Sequence, residues 1–134
     1  MFSCTTPTLE CGDLLEIYAE KPEKCHFINC IEGTNQTLVE ATYQVSGEDS
    51  WQVEEFFVAK YGLGKLKFTC CGWEPTDGKK GTINNVEIEQ INPNYHFTIS
   101  MFGNAEKQME NGEFIIEDDR SKVEFTVTVT IIEV

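Results

Sequence analysis

The sequence predicts one α+β domain in which a mostly antiparallel, curved β-sheet of about six or seven strands packs on one main helix. Three observations predict this fold class. Several segments alternate apolar and polar residues with the period of a β-strand. One segment has apolar residues at helical spacing. Short turn sequences at residues 92–94 and 118–121 favour antiparallel neighbours, and 134 residues fit a single domain over 1–134, with 1–11 expected to be loosely held.

The first half of the chain is expected to hold a short helix, two strands and the main helix. Residues 12–19 favour a short helix with Leu14, Leu15 and Tyr18 inward. Strands are expected over 25–31 and 38–46, with a turn at 33–35 between them. The second of these strands alternates clearly and directs every other side chain into the core: Val39, Ala41, Tyr43 and Val45.

Residues 49–61 have the pattern of an amphipathic helix. Asp49 is expected to cap it, with Gln52 three residues on as in a capping box. Gly62 stands where a left-handed residue is expected to end the helix. Glu54 and Glu55 are expected on the solvent side, opposite an apolar stripe formed by Val53, Phe56, Phe57 and Tyr61.

The second half is predicted to be strands joined by turns and loops. Loops are expected over the glycine-containing polar segments 72–81 and 103–112. The last strand has the clearest alternation, with Val123, Phe125, Val127, Val129 and Ile131 inward. Strands are expected over 65–71, 82–91, 95–102, 114–117 and 122–134.

Charge is the unusual property of the composition. There are 23 acidic residues against 10 basic ones, a formal net charge of −13. Nucleic acid and anionic membrane surfaces are therefore poor partners, because both require clustered Lys and Arg. The acidity either serves solubility alone or steers the protein toward a basic partner. The chain has no apolar segment of about 18 residues and starts without a signal-peptide pattern, so a cytoplasmic location is expected.

Six cysteines are expected to be reduced thiols, as in a cytosol. Cys70 and Cys71 are neighbours on a predicted strand and should point to opposite faces, where neighbours rarely bond each other and do not easily reach one metal ion. The spacing of Cys25 and Cys30 does not complete a zinc motif, and buried cysteines that act as small apolar residues are the simpler interpretation. No metal or cofactor is expected.

Catalytic motifs are not found in the sequence. Only His26 and His96 could serve a cysteine nucleophile as a base, and neither lies in a known nucleophile signature. The carboxylates are scattered on surfaces expected to be solvated, without the paired environments of acid–base catalysis. The chain is therefore predicted not to be an enzyme, and it has no predicted catalytic residue.

Surface recognition is the remaining function class. Trp73 is predicted to lie in a loop, where it either anchors an interface or folds back to cover the end of the sheet. Acidic clusters supply the charge that would attract a basic protein. The predicted partner-binding residues are Glu48, Asp49, Glu54, Glu55, Trp73, Glu74, Asp77, Glu117, Asp118 and Asp119.

Residues 61–75 read YGLGKLKFTCCGWEP. This stretch, together with the size and acidity of the chain, resembles bacterial immunity proteins, in particular those of contact-dependent growth inhibition systems. The resemblance implies a cytoplasmic protein that binds and blocks a cognate toxin domain, often a basic nuclease. It implies no particular binding residues.

The first hypothesis is therefore an immunity or inhibitor protein that neutralises a basic toxin domain. The alternative is a small-molecule or lipid-binding half-barrel whose curved sheet encloses an apolar pocket. An enzyme that uses cysteine or carboxylates, and a structural or metal-binding module, are the other classes considered.

Overall fold

The computed structural model describes residues 9–33 and 36–134. Its elements are α1 (Leu14–Tyr18), β1 (His26–Glu32), β2 (Thr37–Val45), α2 (Gly47–Tyr61), β3 (Leu66–Thr69), β4 (Gly72–Pro75), β5 (Gly81–Thr82), α3 (Val86–Ile91), β6 (Tyr95–Asn104), β7 (Glu106–Gln108), β8 (Phe114–Ile116) and β9 (Phe125–Glu133). A seven-stranded sheet has the order β1-β2-β9-β6-β4-β3, and β5 pairs with β6. Every strand pair among these elements is antiparallel, which confirms the predicted fold class.

The core lies on one face of the three long central strands, β2, β9 and β6. Their inward side chains are almost completely buried, and the alternation predicted for β2 and for the last strand is confirmed. Register places these side chains beside one another across strands, as with Tyr43 opposite Val127 and Met101 opposite Val127 on its other side. Leu14 and Leu15 of α1 and Phe57 of α2 close this apolar layer.

Helix α2 begins at Gly47, two residues before the predicted start. Ser46 is its N-cap, and the Ser46 Oγ accepts a hydrogen bond from the Asp49 backbone N–H at 3.3 Å, so the predicted capping box at Asp49 and Gln52 is wrong. The backbone of Gly47 packs so closely against the segment 120–123 that a Cβ at this position would lie 2.3 Å from the Arg120 carbonyl oxygen. The predicted left-handed Gly62 is confirmed, with a φ of 76°.

The predicted strand over 82–91 is wrong. Only Gly81–Thr82 is a strand, and Val86–Ile91 forms α3. The Asn85 side chain accepts a hydrogen bond from the Ile88 backbone N–H at 3.0 Å and so caps this helix. Because Ile88 is buried and Val86 is exposed, the apolar residues do not share the single face that the alternating pattern suggested.

The predicted loops over 72–81 and 103–112 are also partly wrong. Residues Gly72–Pro75 form β4, which pairs with β3 and β6. Burial of the Trp73 side chain in the core outweighs the loop preference of the surrounding glycine and proline. Strand β6 continues to Asn104, and β7 follows it directly.

Two disulfides contradict the expectation of reduced thiols. Cys11 is bonded to Cys30 with a Cα–Cα distance of 5.7 Å, which ties the segment before α1 to β1. Cys70 is bonded to Cys71. The strand argument against this second pair does not hold, because β3 ends at Thr69 and Cys70 lies in a turn with a φ of 55°. The predicted turn at 33–35 and the predicted loose segment 1–11 fall mainly on residues outside the described ranges.

Candidate partner-binding surface

Two of the predicted acidic clusters lie at the same end of the molecule. Glu48 and Asp49 are in the first turn of α2, where the helix dipole favours negative charge. The backbone of Gly47 packs against the segment 120–123, which follows directly after the acidic residues 117–119. We call Glu48, Asp49, Glu117, Asp118 and Asp119 the acidic end.

A buried arginine holds the acidic end together. Arg120, the only arginine in the chain, is 8% exposed and lies with its Nη2 2.6 Å from Glu54 Oε1. Its Nε donates a hydrogen bond to Ser50 Oγ at 2.8 Å. The guanidinium group also lies 4.7 Å from the ring centroid of Trp51 and 5.1 Å from that of Phe125. The loop that carries the acids is therefore fixed to α2 and to the sheet.

Glu54 does not belong to the binding surface that the sequence predicted. It is 9% exposed, and its carboxylate accepts a hydrogen bond from the Leu66 backbone N–H at 2.9 Å in addition to pairing with Arg120. The prediction of a solvent-facing Glu54 is therefore wrong, because α2 directs this side chain toward the buried guanidinium group of Arg120. Glu55, its neighbour, is exposed as predicted.

Trp73 is buried in the core as part of β4, and the alternative prediction of an exposed anchor is wrong. Its ring centroid lies 4.9 Å from that of Phe68 and 6.0 Å from that of Phe125, and only 9% of the residue is exposed. Glu74 is half-buried on β4 opposite Lys67.

Asp77 is exposed but is not part of the acidic end. The backbone N–H of Gly64, just beyond the C-terminal end of α2, bonds to the Lys79 carbonyl at 3.0 Å, which places the turn Thr76–Gly78 at that end. A 15-residue helix is about 22 Å long. Asp77 is therefore separated from Glu48 by the length of α2.

Hydrogen bonds order the carboxylates of the loop. Glu117 accepts from the Asp119 backbone N–H and from Lys107 Nζ at 3.2 Å, and these bonds hold the pKa of its carboxyl below the ordinary value. The Ser121 hydroxyl and backbone N–H bond to Asp119 at 2.7 and 3.0 Å and lower the pKa of that carboxyl too. Both groups are ionised at neutral pH, and Asp118 between them is exposed.

The cysteine chemistry considered from the sequence has little support in the geometry. Burial raises the pKa of the Cys25 thiol to about 12, whereas a nucleophilic cysteine requires a lowered pKa. Within residues 9–33 and 36–134, no three His, Cys, Asp or Glu side chains converge as a set of metal ligands.

The side of the sheet that would enclose a ligand in a half-barrel is filled with side chains. Tyr43, Phe57 and Phe125 are among the largest fully buried residues there. A cavity of about 320 Å³ does lie at the surface beside α3 and β6, where polar Asn84 and Glu89 share its lining with Ile88. The half-barrel hypothesis requires an internal apolar cavity and therefore has less structural support.

Sequence reasoning missed a feature next to the acidic end. Strands β7 and β8 form a separate two-stranded sheet, which we call the hairpin arm (residues 106–116). Its large apolar side chains are exposed: Met109, Phe114, Ile115 and Ile116. The signal in the sequence was the uninterrupted run Phe-Ile-Ile between Glu113 and Glu117, because a half-buried strand would alternate.

The fold defines the class of the protein, an α+β domain with a seven-stranded antiparallel sheet and three helices within the described residues. Residues 2–73 match the family described as a domain of unknown function, DUF4952, and since the match spans more than half of the 134 residues, the chain belongs to this family. No curated protein and no solved structure matches the chain. Over the same described residues, none of the helices has the length and apolar character needed to cross a membrane.

Proposed function

We propose that this protein is an immunity-type inhibitor, which binds a basic toxin domain, such as a nuclease, and covers its active site. One observation carries the proposal: the first turn of α2 and the loop 117–119, which are far apart in sequence, form one acidic end held in place by Arg120. The net charge of −13 acts in the same direction.

A fixed cluster of carboxylates suits this role for a physical reason. The active site of a nuclease is shaped and charged to attract phosphate, so an acidic surface of complementary potential can occupy it or cover it. Opposite charges speed the encounter of the two proteins, while buried contacts set how slowly they separate. Because the acidic loop is bound to α2 and to β9 before the partner arrives, little ordering is needed on binding.

The test is co-expression with the product of the adjacent gene. We expect a stable complex on co-purification, loss of the partner's toxicity or nuclease activity, and weaker association as the salt concentration rises. An adjacent product that neither binds this chain nor is inhibited by it would contradict the proposed function.

Charge reversal locates the surface. Glu48→Lys combined with Asp118→Lys should slow association and weaken binding by about tenfold or more, since both side chains are exposed at the acidic end. The matched control is Glu32→Lys combined with Asp77→Lys, which changes the net charge by the same amount. Glu32 is exposed at the end of β1 that lies away from the acidic end, beside Val39 of β2, and Glu32→Lys alone is the control with one substitution. Equal effects of the two double variants would show that net charge alone, without this surface, governs binding.

A cytoplasmic location is part of the same proposal, because an immunity protein must meet the toxin where the toxin acts. The Cys11–Cys30 disulfide argues against it, since disulfides are rare in the cytosol. Fractionation of cells that express the native gene should recover the chain with cytosolic markers. Recovery outside the cytosol would contradict this location and leave the binding test unaffected.

A further inference from the structure

The hairpin arm stands apart from the main sheet. Its two strands pair only with each other among the described strands, with Gln108 opposite Phe114 and Glu106 opposite Ile116. At its base the Ala105 backbone N–H bonds to the Cys71 carbonyl and the Glu117 backbone N–H bonds to the Ala105 carbonyl, both at 2.8 Å. The arm is thus hydrogen-bonded to the rest of the fold at Ala105 and Glu117, and residues 108–116 beyond them are exposed.

The arm exposes four large apolar side chains. Phe114 is 67% exposed, and Ile115, Ile116 and Met109 are between 43% and 45% exposed. Phe114 and Ile116 are two residues apart on one strand and therefore share a face. Contiguous exposed apolar side chains of this kind mark interaction sites, and an aromatic side chain is a frequent anchor.

Charge on the arm selects the kind of partner. Glu106, Glu110 and Glu113 are exposed around the apolar residues. The one cation of the arm, Lys107, is already paired with Glu117 at 3.2 Å. Two arms would meet with like charges, so a second copy of this chain is a poor occupant, whereas an apolar groove rimmed by Lys or Arg complements the arm.

We propose that the hairpin arm is the anchor of the inhibitor, inserting Phe114 and Ile116 into an apolar groove with a basic rim on the partner protein. This inference rests on the proposed function and names the surface that supplies its slow dissociation. The acidic end, which continues from the arm through Glu117, then lies over the positive charge beside that groove.

The test compares two matched double variants in binding to the purified product of the adjacent gene. Phe114→Ser with Ile116→Ser removes two exposed apolar side chains from the arm. Ile28→Ser with Ile31→Ser removes two from β1, where they are 52% and 54% exposed. We expect the arm variant to bind at least about thirtyfold more weakly, mainly through faster dissociation, and the β1 variant to stay within about threefold of the unmodified chain.

Hydrogen exchange on the unmodified complex gives a second readout that does not depend on how the variants fold. Amides within 106–116 should exchange more slowly in the complex than in the free chain. Unmodified binding by the arm variant, or no protection of the arm, would overturn this inference while the proposed function stands. Failure of the unmodified chain to bind would overturn both. Self-association that sedimentation detects and that the arm substitutions abolish would show a second copy as the occupant and overturn the inference.

Discussion

The main sheet and the hairpin arm use similar residues for opposite purposes. Phe125 in β9 is completely buried, and Phe114 in β8 is 67% exposed, although both lie in antiparallel strands. The main sheet has α1 and α2 against one face, whereas the arm has two strands and no second layer among the described elements. A two-stranded hairpin is at best marginally stable in water. The difference shows that the surroundings of a strand, and not its composition, decide whether its apolar residues stabilise the fold or remain free for a partner.

The largest predicted effect comes from replacing a phenylalanine with alanine, once in the main sheet and once in the hairpin arm. Phe125→Ala should lower the free energy of unfolding by about 3–5 kcal/mol, because it leaves a cavity beside Trp73 and Arg120. Phe114→Ala should change it by less than about 0.5 kcal/mol, because the ring is largely in water already. Urea unfolding followed by tryptophan fluorescence measures both. A similar loss at both positions would show that the arm is packed into the fold after all.

A second pair of variants sharpens the distinction between fold and surface within α2. Glu54→Gln should cost about 3 kcal/mol, because it leaves the buried Arg120 without its counter-ion. Glu55→Gln, one residue along the same helix, should cost less than about 0.5 kcal/mol. The midpoints of urea unfolding give the comparison. Equal costs would place Glu54 outside the core network and restore it to the binding surface.

The Cys11–Cys30 disulfide provides the next test of what holds the main sheet. It joins cysteines with a sequence separation of 19, so Cys11→Ser combined with Cys30→Ser should lower the free energy of unfolding by about 3 kcal/mol under non-reducing conditions. Cys70→Ser with Cys71→Ser is the control, because bonding adjacent residues closes almost no loop, and it should have a much smaller effect. Equal stability of the first variant and the unmodified chain would show that this bond does not constrain the unfolded state.

How much the sequence could predict depended on where each segment is buried. The alternation in β2 and β9 predicted their core faces correctly, because each strand has one face toward solvent and one face buried in the core. The segment 82–91 alternates as well, yet the cap at Asn85 makes most of it helical. Glycine and proline around Trp73 predicted a loop, and only tertiary burial of the ring explains the strand.

The candidate site was less predictable than the fold. Glu48, Asp49 and residues 117–119 were chosen from charge, but only the packing of Gly47 against the segment 120–123 shows that they lie together. Glu54 and Glu55 are indistinguishable in sequence, and the position of Arg120 separates them. The exposed arm was hidden because a run such as Phe-Ile-Ile is also the pattern of a fully buried strand.

The smallest effect we predict concerns pH and compares a carboxylate packed between α1 and β2 with one in the exposed loop 117–119. Burial alone would raise the pKa of the Asp13 carboxyl, but hydrogen bonds from Lys21, from Tyr43 Oη at 2.7 Å and from the Glu16 backbone N–H outweigh it and hold the pKa below its ordinary 3.8. Because the folded pKa is the lower one, the unfolded chain binds this proton first as the pH falls. The stability due to Asp13 is therefore present above pH 3.8 and is lost as the pH falls through the folded pKa.

Asp13→Asn should accordingly flatten the fall of the urea midpoint as the pH drops below 3.8. Asp119→Asn should flatten it less, although the Ser121 hydroxyl lowers the pKa of that carboxyl as well, because water screens charges in the exposed loop 117–119. If both variants flatten the pH dependence of the urea midpoint equally, the contact between Asp13 and Tyr43 is as open to solvent as the loop 117–119. In that case the contrast between packed and exposed regions, which holds for Phe125 and Phe114, would not extend to these two carboxylates.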